Sequence, residues 1–373
     1  MLKLIVSKQE KGLLCVLLEE GKAVRLAWDA PEGVRLGDIY RARIQNIHAG
    51  VRGAFADIGP EHVYLSTAGR RLKKGEEVTV QISQEAQGLK LASVTEELSL
   101  PGHFLVVSSQ PGMLSFSRRV DWSPAQKEEI GTLLAPWKQS FGFIVRTEAA
   151  AAGSEQIEEE ASRLSERLGH ILQRAAHSPA PARLYSGLSV WQEWLMGLDP
   201  AGLEAVITDD ETIFPDMEAW FAEQGLPAGL LRLHEDKTLS LNALYNLERI
   251  RREASDRKVW LKSGAFLMID RTEALTVIDV NSGKNEAGGE AEKTILAINR
   301  EAAAGIARQL ALRNLSGMII VDFISMRKKE NQDTLMSFLQ EEVSKDAVYT
   351  RVVDMTPLGL VEMTRRRIRK PWQ

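Results

Sequence analysis

The sequence predicts a multidomain protein that combines α/β architecture with a small β barrel. Three observations carry that reading. At 373 residues, 44% of them hydrophobic, the chain is long enough for more than one core. Residues 37–97 form short alternating runs punctuated by glycine, which suits a small barrel. The last third alternates apolar runs with one long amphipathic helix, the pattern of strands joined by a crossover.

Taken in order, MLKLIVSKQEKGLLCVLLEEGK alternates as a β-meander. LGDIYRARI and KGEEVTVQI read as the first and a later strand of the barrel. A mixed stretch follows, with the strand GFIVRTEA and a helix over about Ser154–Ala176. That helix carries Ile157, Ala161, Leu164, Leu168, Ile171 and Leu172 at helical spacing. Its stop is SPAPARLYSG, because proline cannot continue a helix and biases the residue before it to extended forms. WQEWLMGL, GLEAVITDDE and MEAWFAEQG alternate helix, strand and helix. KVWLKSGAFLMID, LTVIDVNSG and GMIIVDFIS read as three strands. A helix over about Ala291–Leu312, with Ile295, Ile298, Ala302, Ile306 and Leu310 on one face, joins the last two. A strand, a helical crossover and a second strand make a parallel pair.

Composition narrows the function classes. Lys and Arg total 47 against 51 Asp and Glu, a formal net charge of −4. The basic total common in nucleic-acid binders is absent, although a local basic groove can sit on an acidic protein. The lone cysteine, Cys15, allows no intramolecular disulfide and no CxxC metal site, and its apolar neighbours predict a small core residue. No apolar stretch approaches the roughly 20 residues that span a bilayer. The N-terminus has no signal-peptide features. A reducing cytoplasm and no membrane partner are therefore expected.

The chemistry-bearing feature is a pair of acids. Asp279 and Asp322 each sit near the C-terminal end of a run that otherwise reads as buried strand. In neighbouring parallel strands they would share one edge of the sheet, where α/β folds place their chemistry. Two carboxylates a few ångströms apart repel and need a shared proton or a cation. The six histidines, His48, His62, His103, His170, His177 and His234, show no ligand spacing, so hard oxygen chemistry of the Mg²⁺ or Mn²⁺ kind is favoured over zinc. Asn281, two residues past Asp279, would point to the same side and orient that carboxylate. A single Asp at a strand end is more often a turn former or cap, so capping and ligation both stay open at this point.

At these residues the sequence resembles the ribonuclease E/G family of bacterial endoribonucleases. The resemblance is carried by IDRTEALTVIDVNSG, NREAAAGIARQLALRNLSGMIIVDF and GLVEMTRRRIR. It continues backwards through GDIYRARIQNIHAGVRGAFADIG, SRRV (Ser117–Val120) and GFIVRT (Gly142–Thr147) over nearly the whole chain. The resemblance implies that Asp279 and Asp322 hold the catalytic Mg²⁺ (Mn²⁺ being an alternative) and that Asn281 orients them. It implies a 5′-monophosphate sensor at Arg146, Thr147 and Arg118, and RNA-contacting aromatics at Phe55 and Tyr64. Lys90 belongs to the positive charge expected near the barrel, with Arg41, Arg43, Arg52, Arg70, Arg71, Lys73 and Lys74. The implied layout is a split RNase H-like domain (1–35 and 188–254). Set into it are an OB-fold barrel of the ribosomal-protein-S-one type (36–97) and a 5′-sensor subdomain (98–187). A DNase I-like catalytic domain (255–373) closes the chain.

The sequence also departs from the family pattern. It lacks the cysteines of the CPxC-type motif, so no zinc is expected, and a homodimer or monomer replaces zinc-linked tetramers. No scaffold segment for a degradosome is expected. Ser325 stands where the family carries a second acid, and Glu148 follows the sensor pair, which weakens the case for a strong 5′-monophosphate preference. The basic run MTRRRIRKPWQ is read as RNA-binding or simply solvated charge beside the site. The expected function is Mg²⁺-dependent cleavage of single-stranded RNA by a metal-activated water, in rRNA or mRNA processing or decay, leaving 5′-phosphate and 3′-hydroxyl ends. The rival from another class is a catalytically weak or inactive RNA-binding protein of ribosome assembly; a DNA-directed or phosphomonoester hydrolase is a second.

Overall fold

The computed structural model describes residues 1–29, 33–48, 53–66, 71–86, 90–283 and 291–372. Arg52 and Arg70 lie outside the described residues. The chain forms two compact units, residues 1–30 with 201–373, and residues 31–200.

In the first unit the N-terminal meander is β1 (Leu2–Gln9), β2 (Gly12–Glu19) and β3 (Lys22–Asp29). Four consecutive residues of β1 and five of β2 are buried, Cys15 among them, so both strands are covered on both faces.

The second unit begins with the barrel. Its strands are β4 (Ile39–His48), β5 (Gly53–Asp57), β6 (His62–Ser66), β7 (Glu77–Gln84) and β8 (Ser93–Thr95). The order β4-β5-β6-β8-β7 closes through the antiparallel β4–β7 pair. Ala42, Ile44, Ala54, Ala56, Val63, Leu65, Val78, Val80 and Val94 fill the interior. Alanine at two facing positions of β5 suits the narrow inside of so small a barrel.

Beyond it lie β9 (Ser99–Pro101), β10 (Leu105–Ser108), β11 (Leu114–Phe116), α1 (Pro124–Leu133), β12 (Gly142–Val145) and α2 (Ser154–His177). The sheet order is β11-β12-β10-β9. α2 begins where Gln156 Oε1 accepts the Gly153 N–H at 3.0 Å and stops before the prolines, as the sequence predicts. Its apolar face buries Ile157, Ala161, Leu164, Leu168 and Ile171, each worth about 1–3 kcal/mol. Leu172 is 37% exposed and lies off that face, one residue round the helix from Ile171. β13 (Ala182–Tyr185) pairs with β4, and α3 (Val190–Met196) ends the unit.

Back in the first unit, β14 (Leu203–Thr208) pairs parallel with β1, and β15 (Leu231–Leu233) extends the sheet to the order β15-β14-β1-β2-β3. Helices α4 (Phe214–Glu223), α5 (Leu241–Leu244) and α6 (Leu247–Ser255) follow. The last sheet holds β16 (Lys258–Trp260), β17 (Phe266–Arg271), β18 (Leu275–Asn281), β19 (Gly317–Asp322), β20 (Thr350–Met355) and β21 (Leu360–Arg365). Its order is β16-β17-β18-β19-β21-β20.

The run KVWLKSGAFLMID, read as one strand, is a hairpin. Leu261 N–H donates to the Ala265 carbonyl at 2.9 Å, and Gly264 turns the chain at φ +85°, a conformation glycine takes without penalty. α7 (Ala291–Leu312) and α8 (Lys329–Ser344) pack on one face of this sheet. α7 buries Ile298, Ala302, Ile306 and Leu310, with Ile295 half-buried. It ends at Asn314, whose φ of +48° lets Leu315 N–H close on the Leu310 carbonyl.

Candidate active site

The site is set by the pleat of β18 and β19. Thr276, Ile278 and Val280 of β18, with Ile319 and Val321 of β19, point into the helix-covered core. Val277, Asp279 and Asn281, with Met318, Ile320 and Asp322, therefore face the other way. β18 and β19 are parallel, and their register makes Asp279 and Asp322 direct partners. One carboxylate is half-buried and the other exposed. They stand on adjacent strands, about 4.8 Å apart along the hydrogen-bonding direction. This is the shared edge that the sequence predicts, and the pleat puts both acids on one face as well.

Asn281 also sits where it is predicted. Its Nδ2 donates to Asp279 Oδ2 at 2.7 Å, which fixes that carboxylate and leaves its second oxygen for other work. Gly283 closes the strand at φ +65°, and a Cβ there would come within 2.3 Å of the Gly264 carbonyl oxygen. Only glycine permits this approach between the β16–β17 turn and the end of β18.

The stretch following Asp322 is held by α7. Asn299, fully buried, donates from Nδ2 to the Ile324 carbonyl at 2.8 Å and accepts the Ile324 N–H at 3.1 Å. Seven residues earlier, Glu292 Oε1 accepts the N–H groups of Arg327 and Lys328, each at 3.0 Å. These bonds, that of Lys328 first, hold the Glu292 carboxyl below its ordinary range. Sequence reasoning missed both residues. The available signal was an amide on the apolar face of an amphipathic helix, two turns from an acid. Ser325 is exposed beside this pinned segment.

The donor set is two carboxylates and an amide, all hard oxygen ligands. Among the described residues no three His, Cys, Asp or Glu side chains converge. A site with only two protein carboxylates suits Mg²⁺ or Mn²⁺, which keep much of their shell for water and substrate phosphate. The set therefore fits the ion that the sequence implies, and it does not fit structural zinc.

The basic tail does not lie beside the acids. β21 runs antiparallel to β19, with Leu360 opposite Asp322 and Arg365 opposite Gly317. The tail therefore leaves from the far end, roughly 17 Å along the strand. Arg365 is buried and bonded to Asp346 Oδ2 at 2.7 Å and to Asn314 Oδ1 at 2.8 Å. Trp372 stacks on Trp28 at 5.7 Å and 16°. Folding uses this segment, because a buried guanidinium needs all its partners.

Within the second unit, Phe55 and Tyr64 are register partners on β5 and β6. Their neighbours Ala54, Ala56, Val63 and Leu65 point inward, so the two half-buried rings face outward, 6.0 Å apart and edge to face. Phe55 is therefore not part of the barrel core. Tyr64 lies over Gly53, where any Cβ would strike the ring at 2.2 Å. Lys90 is exposed. In the same unit Thr147 and Ser117 share a hydroxyl bond at 2.9 Å, which places exposed Arg118 one residue away. Arg146 bonds the Gly102 carbonyl through Nη1, and its Nε lies 3.6 Å from Glu148 Oε2. The arginine thus already faces a carboxylate of its own chain.

Comparison with known proteins decides the family. The model of the Ribonuclease E/G family matches residues 99–368, well over half the chain. The chain belongs to the ribonuclease E/G family. It is 30% identical to Ribonuclease G of Haemophilus influenzae over 382 aligned positions, covering 95% of this chain and 77% of that protein. It is 30% identical to Ribonuclease G of Escherichia coli K12, covering 93% and 76%. Against Ribonuclease E of Nostoc sp. PCC 7120 identity is 32%, covering 89% of this chain and 51% of the other. The resemblance read from the motifs is thereby established as membership. Among the described residues no helix is long and apolar enough to cross a membrane.

Proposed function

We propose that this ribonuclease E/G family protein is a Mg²⁺-dependent endoribonuclease. It cuts single-stranded RNA internally during rRNA or mRNA processing or decay, in the cytoplasm, and leaves 5′-phosphate and 3′-hydroxyl ends. The observation that carries this reading is the registered Asp279–Asp322 pair with Asn281 bonded to it, in a family named for ribonuclease activity. Asp279 and Asp322 would hold Mg²⁺, or Mn²⁺ in its place. When bound, that ion supplies charge neutralisation at the phosphodiester and activation of water. Asn281 keeps the Asp279 carboxylate turned to its task, and Asn299 and Glu292 keep the chain beyond Asp322 from drifting.

Phe55 and Tyr64 offer two π faces to unpaired bases without demanding a sequence, with Lys90 for backbone charge. Arg146, Thr147 and Arg118 form the 5′-end sensor, with Glu148 limiting its preference for a monophosphate. The layout that supports these roles is a split RNase H-like domain, an inserted OB barrel and sensor, and a DNase I-like catalytic domain. The assembly is a homodimer or monomer.

The test is a panel of single-stranded RNA, the matching DNA and a mononucleotide, each with Mg²⁺, Mn²⁺ or EDTA. Internal cuts in RNA alone, abolished by EDTA, support the proposal. Binding without cutting moves the reading to an RNA-binding protein, and cutting of DNA or release of phosphate moves it to another hydrolase.

A further inference from the structure

We infer that Trp260, with Lys258 and Phe266, forms a base-stacking platform beside the carboxylate pair, positioning single-stranded RNA for cleavage. The inference rests on the endoribonuclease reading above and assigns that site a substrate-positioning residue.

The register places the platform. Across the helix-free face, Lys258 pairs with Met268, Met268 with Asp279, and Asp279 with Asp322. The next row runs Trp260, Phe266, Asn281. Trp260 and Lys258, two residues apart on edge strand β16, therefore share the face of the two aspartates. They stand two strands from β18, about 10 Å across the sheet.

The side chains have the chemistry of a single-strand contact. Trp260 is 64% exposed, and burial in the core does not account for it, whereas Trp28 and Trp372 cover one another. Its ring meets Phe266 at 5.3 Å and 60°. The Lys258 ammonium sits 3.9 Å from the Trp260 centroid and 3.8 Å from that of Phe266. One side of the indole thus carries a cation, and the open side offers a π face. A base stacks there, and its phosphate meets Lys258.

The platform is also rigid. Glu301 Oε1 of α7 accepts the Lys262 N–H at 2.6 Å, and the Gly283–Gly264 approach locks the same turn to the end of β18. A base held on Trp260 is therefore held relative to Asn281 and Asp279, as positioning requires.

The experiment uses the full chain with Trp260→Ala, Trp260→Tyr and Lys258→Gln. Binding is read by anisotropy on a labelled single-stranded RNA in an Asp322→Asn background, and cleavage is read in the native background. Trp260→Ala should weaken binding about ten-fold and raise KM by a similar factor with kcat nearly unchanged, and Trp260→Tyr should restore most of it. Lys258→Gln should lower the salt slope of binding by about one. Across RNAs with one abasic residue at successive positions, the native protein should lose affinity at a position where Trp260→Ala loses nothing further.

Unchanged Kd and KM in Trp260→Ala overturn the inference, as do abasic penalties equal in both proteins. It is also overturned if Trp260→Ala alters the sedimentation mass and leaves RNA binding intact, because the face then joins two copies of the chain. If Trp260→Ala weakens binding while the native protein cuts nothing in either metal, the platform stands and the nuclease reading falls.

Discussion

Asn299→Ala removes one buried amide that makes both backbone bonds of Ile324, two residues past Asp322. Each orphaned backbone group loses about 1–3 kcal/mol, so with two of them the segment after Asp322 should lose about 2–6 kcal/mol of local stability. Displacement of Asp322 by as little as 1 Å can lower turnover about a hundred-fold. Hydrogen exchange read by mass spectrometry over peptides spanning 319–328 should speed up at least ten-fold, and RNA cleavage should fall by one to two orders of magnitude. Asn299→Asp should not rescue, because it sets a carboxylate oxygen against the Ile324 carbonyl. Native exchange and native cleavage in Asn299→Ala would refute the claim that α7 positions this segment.

Other predictions concern the second unit. Glu148→Gln frees Arg146 from its own carboxylate, so the ratio of cleavage rates on 5′-monophosphate and 5′-hydroxyl RNA should rise about five-fold, an ion pair's worth; an unchanged ratio counts against the sensor assignment. Phe55→Ala and Tyr64→Ala should each weaken single-stranded RNA binding by about 1–3 kcal/mol with native thermal stability, and unaltered affinity in both would remove the barrel from the RNA path. Tyr40 is buried in the barrel and donates to Asp38 Oδ2 at 3.1 Å. Burial first, and then the Asp38 charge, push its hydroxyl up to about 12, above the ordinary value near 10. The raised value means that its stabilisation is fully present below about pH 10 and is lost as pH rises through about 12. Urea unfolding between pH 8 and 12 should show that loss in the native protein and not in Tyr40→Phe, and identical profiles would contradict it.

Periodicity made the long elements legible. The helix over 154–177 and the helix over 291–312 repeat apolar residues at 3.6, with prolines or a left-handed asparagine to stop them. The acids were legible because an Asp in an apolar run breaks the local rule, and such breaks mark sites. Three things were not legible. The β16–β17 hairpin hides in a run whose hydrophobicity continues through its turn, with only Ser263 and Gly264 to mark it. Asn299 and Glu292 act through backbone groups more than 20 residues away, a separation no local pattern reports. The tail's arginines look like a solvated run, yet Arg365 is buried against Asp346 and Asn314. That follows only from the antiparallel placement of β21 against β19.

The most direct measurement compares the native protein with Asp279→Asn and Asp322→Asn on one fluorescent A/U-rich single-stranded RNA, with Mg²⁺ and with EDTA. Metal-dependent internal cuts by the native protein, lowered at least a hundred-fold in both variants while RNA binding persists, are the predicted result. Cutting retained by either variant, or a native protein that binds RNA and leaves it whole with Mg²⁺, would contradict the account.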